Sequence, residues 1–152
     1  MSPNPPAPLS AKQKRLLRES FASVREYETA VIVLFYGRLF EIAPETRVLF
    51  KIDIREQANK LTETLQMALD ALERFEELRP VLADLGRRHV TYGVQPYQYE
   101  RLRSALLWAL GQALGLEFDR ETRAAWDQLL STIAAVMLEA ASAATMPIEE
   151  RL

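Results

Sequence analysis

The sequence predicts an all-α protein, and three observations carry that reading. Apolar residues recur at three- and four-residue spacing through most of the chain. No window of strict apolar–polar alternation bounded by turn signals competes with that pattern. Prolines punctuate the chain, and Pro44, Pro80 and Pro96 are each followed by a helix-like stretch. About six main helices and a short one around Pro44 are expected.

Taken in order, Pro3, Pro5, Pro6 and Pro8 make residues 1–9 an extended, Pro-rich lead-in expected to be disordered. Ser10 and Gln13 have the spacing of a capping box and open a first helix to about Tyr27, with Leu17, Phe21 and Val24 inward. A second covers about Thr29 to Ile42 and carries Ile32, Tyr36, Leu39 and Phe40 on one stripe. Pro44 starts a short turn of helix ending near Phe50, and Lys51 to Arg55 reads as a loop. From about Glu56, Gln57, Leu61, Leu65, Leu69 and Leu72 mark a third long helix. Leu78, Leu82, Leu85 and His89 share a face around Pro80. Pro96 opens a helix through Leu102, Leu106 and Leu110 to Leu114, stopped by Gly115. Asp119 caps the last one, whose inner face is Trp126, Leu130, Ile133 and Met137. Pro44, Pro80 and Pro96 are all read as helix starts, where the missing N–H costs nothing. The folded domain is expected over residues 10–142, with 143–152 as a tail.

Composition narrows the chemistry. With no cysteine, the chain has no disulfide, no thiolate metal site and no thiolate nucleophile. Its one histidine, His89, excludes a multi-histidine metal centre. A net charge of −2 gives no basic field for nucleic acid or an anionic membrane. No apolar run is long enough to span a bilayer, and the N-terminal segment lacks the features of a secretory signal, so a cytoplasmic protein is expected.

Three polar groups break the apolar stripes: Tyr36, Gln57 and His89. A buried phenol, amide or imidazole is costly unless something bonds to it, so together they suggest a shared, partly polar cavity. Periodicity leaves other uses open. An imidazole near a helix C-terminus suits a dipole-stabilised residue as well as a metal ligand. Tyr36 suits a core position with its hydroxyl at the rim, Gln57 an exposed helix start, and Arg87 and Arg88 a solvated face.

Two longer segments say more. Leu34-Phe35-Tyr36-Gly37-Arg38-Leu39-Phe40 followed by Pro44-Glu45-Thr46-Arg47-Val48-Leu49-Phe50 resembles the second helix and following corner of bacterial single-domain haemoglobins, relatives of the haem domain of flavohaemoglobins. Leu85 to Val94 resembles that family's proximal-histidine segment, and Gln57-Ala58-Asn59-Lys60-Leu61 the start of its distal helix. The resemblance runs from about Leu9 to Leu138, in order and with matching intervals.

It implies a globin fold with a haem pocket between the distal and proximal helices, and haem b as cofactor. His89 would ligate the iron. Phe50 would pack on the porphyrin, Leu61 over the iron, and Val94 near the proximal side. Tyr36 and Gln57 would be the distal donors to a bound gas, since both side chains can donate. Lys60 or Arg88 would meet a haem propionate. The lineage also pairs its proximal histidine with a Tyr and a Glu. The Tyr position corresponds to Tyr99, but the Glu position falls on Ala141. Glu139, two residues earlier and about 200° round the helix, is a poor substitute, so strong electron donation from the proximal side is not expected.

The implied partners are oxygen, nitric oxide and carbon monoxide, with no nucleic acid and no membrane, in a monomer or weak homodimer. The implied reaction is nitric oxide dioxygenation. In the absence of a Gly-rich dinucleotide fingerprint, it is expected to need a separate reductase. Reversible oxygen storage, delivery or sensing is the alternative use, and a haem-free globin-fold interaction module a third. With one histidine, a second imidazole on the distal side is excluded.

Overall fold

The computed structural model describes residues 8–50 and 53–145. Among them there are helices and turns and no strand. Six α-helices follow in order: α1 (Ala11–Glu26), α2 (Glu28–Ile42), α3 (Ile54–Asp70), α4 (Phe75–Tyr92), α5 (Pro96–Leu114) and α6 (Arg120–Thr145). Short 3₁₀ turns at Pro44–Leu49, Leu72–Arg74 and Gly115–Glu117 lie in three of the five connections, between α2 and α3, α3 and α4, and α5 and α6. This is the expected set of six main helices and a short one at Pro44. The segment 1–7 of the Pro-rich lead-in, Lys51 and most of the 143–152 tail lie outside the described residues.

Local chemistry explains the boundaries. At the start of α1, Gln13 N–H donates to Ser10 Oγ at 3.1 Å, while Ser10 N–H donates to Gln13 Oε1 at 2.9 Å. Asp53 accepts from Arg55 N–H at 3.0 Å, so α3 begins at Ile54, two residues before Glu56. Asp119 likewise accepts from Thr122 N–H at 2.9 Å at the head of α6. Gly93, with φ of 91°, ends α4 in the left-handed conformation that a side chain would strain.

One proline reading is corrected. Pro44 and Pro96 stand at the first helical position of their segments, but Pro80 lies inside α4, in its second turn. The helix starts earlier because the Leu72–Arg74 turn feeds directly into Phe75, and Glu76 and Glu77 suit the positive end of the helix dipole. Pro80 is exposed, so the hydrogen bond it removes is lost where water can replace it.

The core lies where α1, α2, α5 and α6 meet, around Trp126, Phe35, Leu17 and Leu110, all at most 2% exposed. Trp126 Nε1 donates to Ser20 Oγ at 2.8 Å, which satisfies the one polar atom of that side chain. α2 packs mainly on α5, and α4 on α6. The second of these contacts depends on Gly86, where a Cβ would run into the backbone of Met137. Leu102 falls on the inner stripe of α5 but is 36% exposed, beyond the reach of the core.

Candidate functional site

The C-terminal half of α4 positions His89. Its stripe mates Leu78 and Leu82 are buried, which turns His89 inward and leaves it half-buried. His89 Nδ1 lies 2.7 Å from the carbonyl oxygen of Leu85, one turn earlier. A carbonyl only accepts, so Nδ1 carries the proton and donates. Burial pushes the ring's pKa below its ordinary value, a shift that the Leu85 bond opposes and Arg88 reinforces. The neutral ring therefore presents a free Nε2 lone pair, the form in which imidazole ligates iron.

Two tyrosines flank it, with ring centroids 5.8 Å (Tyr92) and 6.2 Å (Tyr99) from the imidazole. The hydroxyl of Tyr99 is buried and has no hydrogen-bond partner. Burial raises its pKa. No carboxylate among the described residues accepts from it.

A second group of side chains, on α2 and at the end of the Pro44 turn, is aromatic. Tyr36 on α2 is 6% exposed and packs edge-on against Phe35 (4.9 Å) and Phe50 (5.3 Å), with Phe40 at 5.9 Å. Phe50, just past the Pro44 turn, also meets Phe40 edge-on at 5.6 Å. Tyr36 makes no hydrogen bond to another described side chain, and burial pushes its hydroxyl up to about 12, so at neutral pH it is a donor. A cavity of about 30 Å³ opens beside it, bounded also by Phe35, Leu61 and Trp126.

Two ties connect the Pro44 turn to the end of α4 and the start of α5. Leu49, next to Phe50, lies against Gly93, four residues past His89. Tyr97 Oη donates to Glu45 Oε1 at 2.9 Å, holding the start of α5 to the Pro44 turn.

The remaining predicted residues divide. Leu61 is half-buried and shares the cavity with Tyr36, and Val94 is half-buried just beyond α4. Gln57 is half-buried in the first turn of α3, one residue from the cavity-lining Ala58, and is not itself on the cavity wall. Lys60 and Arg88 are exposed, and Arg88 pairs with Asp84 at 2.9 Å. The stripe as read omits Phe35, although it lies three residues after Ile32 and four before Leu39, the spacing of the same face. The available signal was that α2 is apolar nearly all round, as a helix covered on more than one side should be.

The globin family model matches residues 33–137, more than half of the chain. The chain belongs to the globin family. Membership implies a haem cofactor and the binding of diatomic gases. This globin is 29% identical over 143 residues to the neuroglobin of Tetraodon nigroviridis, covering 85% of this chain and 90% of that one. It is 27% identical over 132 residues to a flavohemoprotein of Rhizobium meliloti, covering 85% of this chain but 33% of the longer protein. Among solved structures it resembles a bacterial globin from Campylobacter jejuni (TM-score 0.76, 22% identity, 88% of this chain and 96% of that one). A hexacoordinated haem protein from an anhydrobiotic tardigrade is similar in fold (TM-score 0.78, 21% identity, 89% and 96%). So is an engineered carbene transferase built on a candidate nitric oxide dioxygenase of Rhodothermus marinus (TM-score 0.77, 24% identity, 88% and 94%). This relationship is the one the sequence segments suggest, a bacterial single-domain globin akin to the haem domain of flavohaemoglobins. Among the described residues, no helix is long and apolar enough to cross a membrane.

Proposed function

We propose that this globin holds haem b through His89 Nε2 and binds oxygen, nitric oxide and carbon monoxide on the face lined by Tyr36 and Gln57. The observation that carries the proposal is the 2.7 Å bond from His89 Nδ1 to the Leu85 carbonyl, which sets the tautomer that a haem iron requires. The donor chemistry and the apolar side chains of Phe50, Leu61 and Val94 suit a porphyrin. When bound, the haem supplies the iron that takes up the gas and exchanges an electron with it.

The protein's own groups do the rest. Leu85 orients the imidazole. Phe35, Phe40 and Phe50 fix the Tyr36 ring, so its hydroxyl is held ready to donate without reorganising. Gln57 would add a second donor, and Lys60 or Arg88 would meet a propionate.

The proposed reaction is nitric oxide dioxygenation, in which NO, O₂ and one electron combine to nitrate. The electron comes from a separate reductase, and the proposed setting is the cytoplasm. The flavohemoprotein and dioxygenase-like relatives support this use. One observation favours a second reading, reversible oxygen binding for storage, delivery or sensing. The Tyr99 hydroxyl lacks an acceptor, so no tyrosine–carboxylate pair strengthens electron donation through His89. A haem-free interaction module is disfavoured by the His89 geometry.

Spectra of the purified protein in ferric, ferrous, oxygenated and CO-bound forms test the proposal. A Soret band with a His-ligated ferrous signature is expected, and its absence after haem reconstitution would overturn both gas-binding readings. Oxygen release then separates them, since very slow release excludes delivery. Rapid NO consumption sustained by a reductase supports dioxygenation.

A further inference from the structure

The rings around Tyr36 are held from outside as well as from within. Arg47, in the Pro44 turn, places its guanidinium carbon 4.9 Å from the centre of the Phe40 ring. Its backbone carbonyl accepts from Phe50 N–H at 3.2 Å. One residue thus holds two of the three phenylalanines that surround the Tyr36 ring. Arg47 is exposed and pairs with no carboxylate among the described residues, so its charge is met by the Phe40 ring face. Arg38 differs, since it lies over Trp108 at 5.1 Å but also pairs with Glu41 at 3.2 Å.

The turn that carries Arg47 is anchored at both ends. At its start Thr46 Oγ1 donates to the Ala43 carbonyl at 2.6 Å, and both residues are at most 3% exposed. Beside Thr46, Glu45 accepts the 2.9 Å bond from Tyr97 at the head of α5. At the far end Leu49 lies against Gly93. Arg47 therefore stands on a short segment tied to α2, α4 and α5. Tyr36 makes no hydrogen bond to another described side chain, so the direction of its hydroxyl is set by its ring contacts. Those contacts lead through Phe40 and Phe50 to Arg47.

We infer that Arg47, with the Glu45–Tyr97 pair behind it, is a positioning brace that fixes the direction of the Tyr36 donor by holding Phe40 and Phe50 in place. The inference rests on the gas-binding reading above and extends it to three exposed residues outside the site. Arg47 acts on the bound gas through two rings and one hydroxyl, and not by its own charge.

Oxygen release and the C–O stretching band of the CO complex, both measured on the holoprotein, test it. Arg47→Ala removes the cation over Phe40 and should quicken oxygen release about two- to fivefold, the size of an exposed cation–ring contact. The C–O band should broaden or move towards that of Tyr36→Phe, a sign of a misdirected donor that a general loss of stability would not give. Arg47→Lys keeps a cation over the ring and should restore most of the parent's behaviour. Tyr97→Phe keeps its own ring and removes the bond to Glu45, so a smaller change in the same direction is expected. In a Tyr36→Phe background, Arg47→Ala should add nothing, because the donor it positions is gone. The brace is overturned if Arg47→Ala leaves release and the C–O band at parent values, if Arg47→Lys behaves like Arg47→Ala, or if the effect persists undiminished without the Tyr36 hydroxyl. Failure of the parent to form a CO complex would instead overturn the gas-binding reading. Ultraviolet titration then decides on the brace. Loosened rings admit water to the hydroxyl, so Arg47→Ala should bring Tyr36 ionisation down from about 12 towards its ordinary 10.0, and an unchanged titration overturns the inference.

Discussion

On one side of the proposed haem site, Tyr36 is wedged among Phe35, Phe40 and Phe50, each ring contact contributing on the order of 0.5–1.5 kcal/mol beyond simple burial. On the other, His89 is held by one short bond to a backbone carbonyl, and its aromatic neighbour Tyr99 leaves a buried hydroxyl unused. The Tyr36 wall thus spends packing to fix one donor in place. The His89 wall spends a single bond to set a tautomer and invests nothing further in charge. If haem sits at His89 as proposed, the difference teaches that this globin is organised to stabilise what binds on the Tyr36 face more than to strengthen donation through His89.

The most severe break is at His89. His89→Ala should abolish the His-ligated ferrous spectrum, and added imidazole should restore a Soret band if the cavity survives. A variant that retains the parent's ferrous spectrum would remove His89 from the site.

Next in size is a backbone effect beneath the same wall. Gly86→Ala places a methyl group inside the van der Waals envelope of Met137 and forces α4 away from α6. A loss of about 1–3 kcal/mol in urea unfolding is expected, as for other overpacked contacts. Weaker retention of haem should accompany it, measured by transfer to apomyoglobin.

The opposite wall is sharpened by Tyr36→Phe, which keeps the ring packing and removes the donor. Oxygen release, read by stopped flow, should quicken about ten- to a hundredfold if the hydroxyl contributes ~1–3 kcal/mol to the bound gas. Carbon monoxide, less polarised, should respond less. The donor's pH range follows from its burial. The folded pKa of Tyr36 is about 12 against an ordinary 10.0. The stability contributed by the neutral phenol is complete below pH 10 and is lost as pH rises from there towards 12. Ultraviolet titration of the parent beside Tyr36→Phe should show one tyrosine fewer ionising in that upper range.

The smallest effect is expected at Tyr99. Removing a buried hydroxyl with no partner in Tyr99→Phe should change stability by no more than about 1 kcal/mol, with stabilisation the favoured sign. The iron–histidine stretch in resonance Raman spectra should not move. A clear downward shift would show that Tyr99 already strengthens donation through His89, erasing the contrast between the walls.

Much of the fold was legible because helices announce themselves locally. The Ser10–Gln13 box, Asp119 and the prolines at 44 and 96 act within one turn, so spacing alone locates those helix starts. Pro80 was misread for the same reason, since nothing nearby in the chain says that the preceding 3₁₀ turn will carry the helix back to Phe75. Within the site, His89 and Tyr36 stood out as polar groups on apolar stripes. Phe35 did not, because an apolar residue on an apolar stripe is marked as core by its spacing from Ile32 and Leu39 but not as part of a site until its neighbours are known. The exposure of Lys60 and Arg88, and the pairing of Arg88 with Asp84, likewise depend on which surfaces other helices cover.

By itself the sequence determined the all-helical class, the absence of thiolate or multi-histidine chemistry, and the single imidazole available to a metal. These follow from residue identity and from periodicities that complete themselves within a few residues. Tertiary structure alone decided which hydroxyls are used. It brought Tyr36 among three phenylalanines, left Tyr99 without an acceptor, and paired Thr62 with Glu28, 34 positions away. Packing between distant segments is a sum over the whole chain, and no local pattern carries that sum.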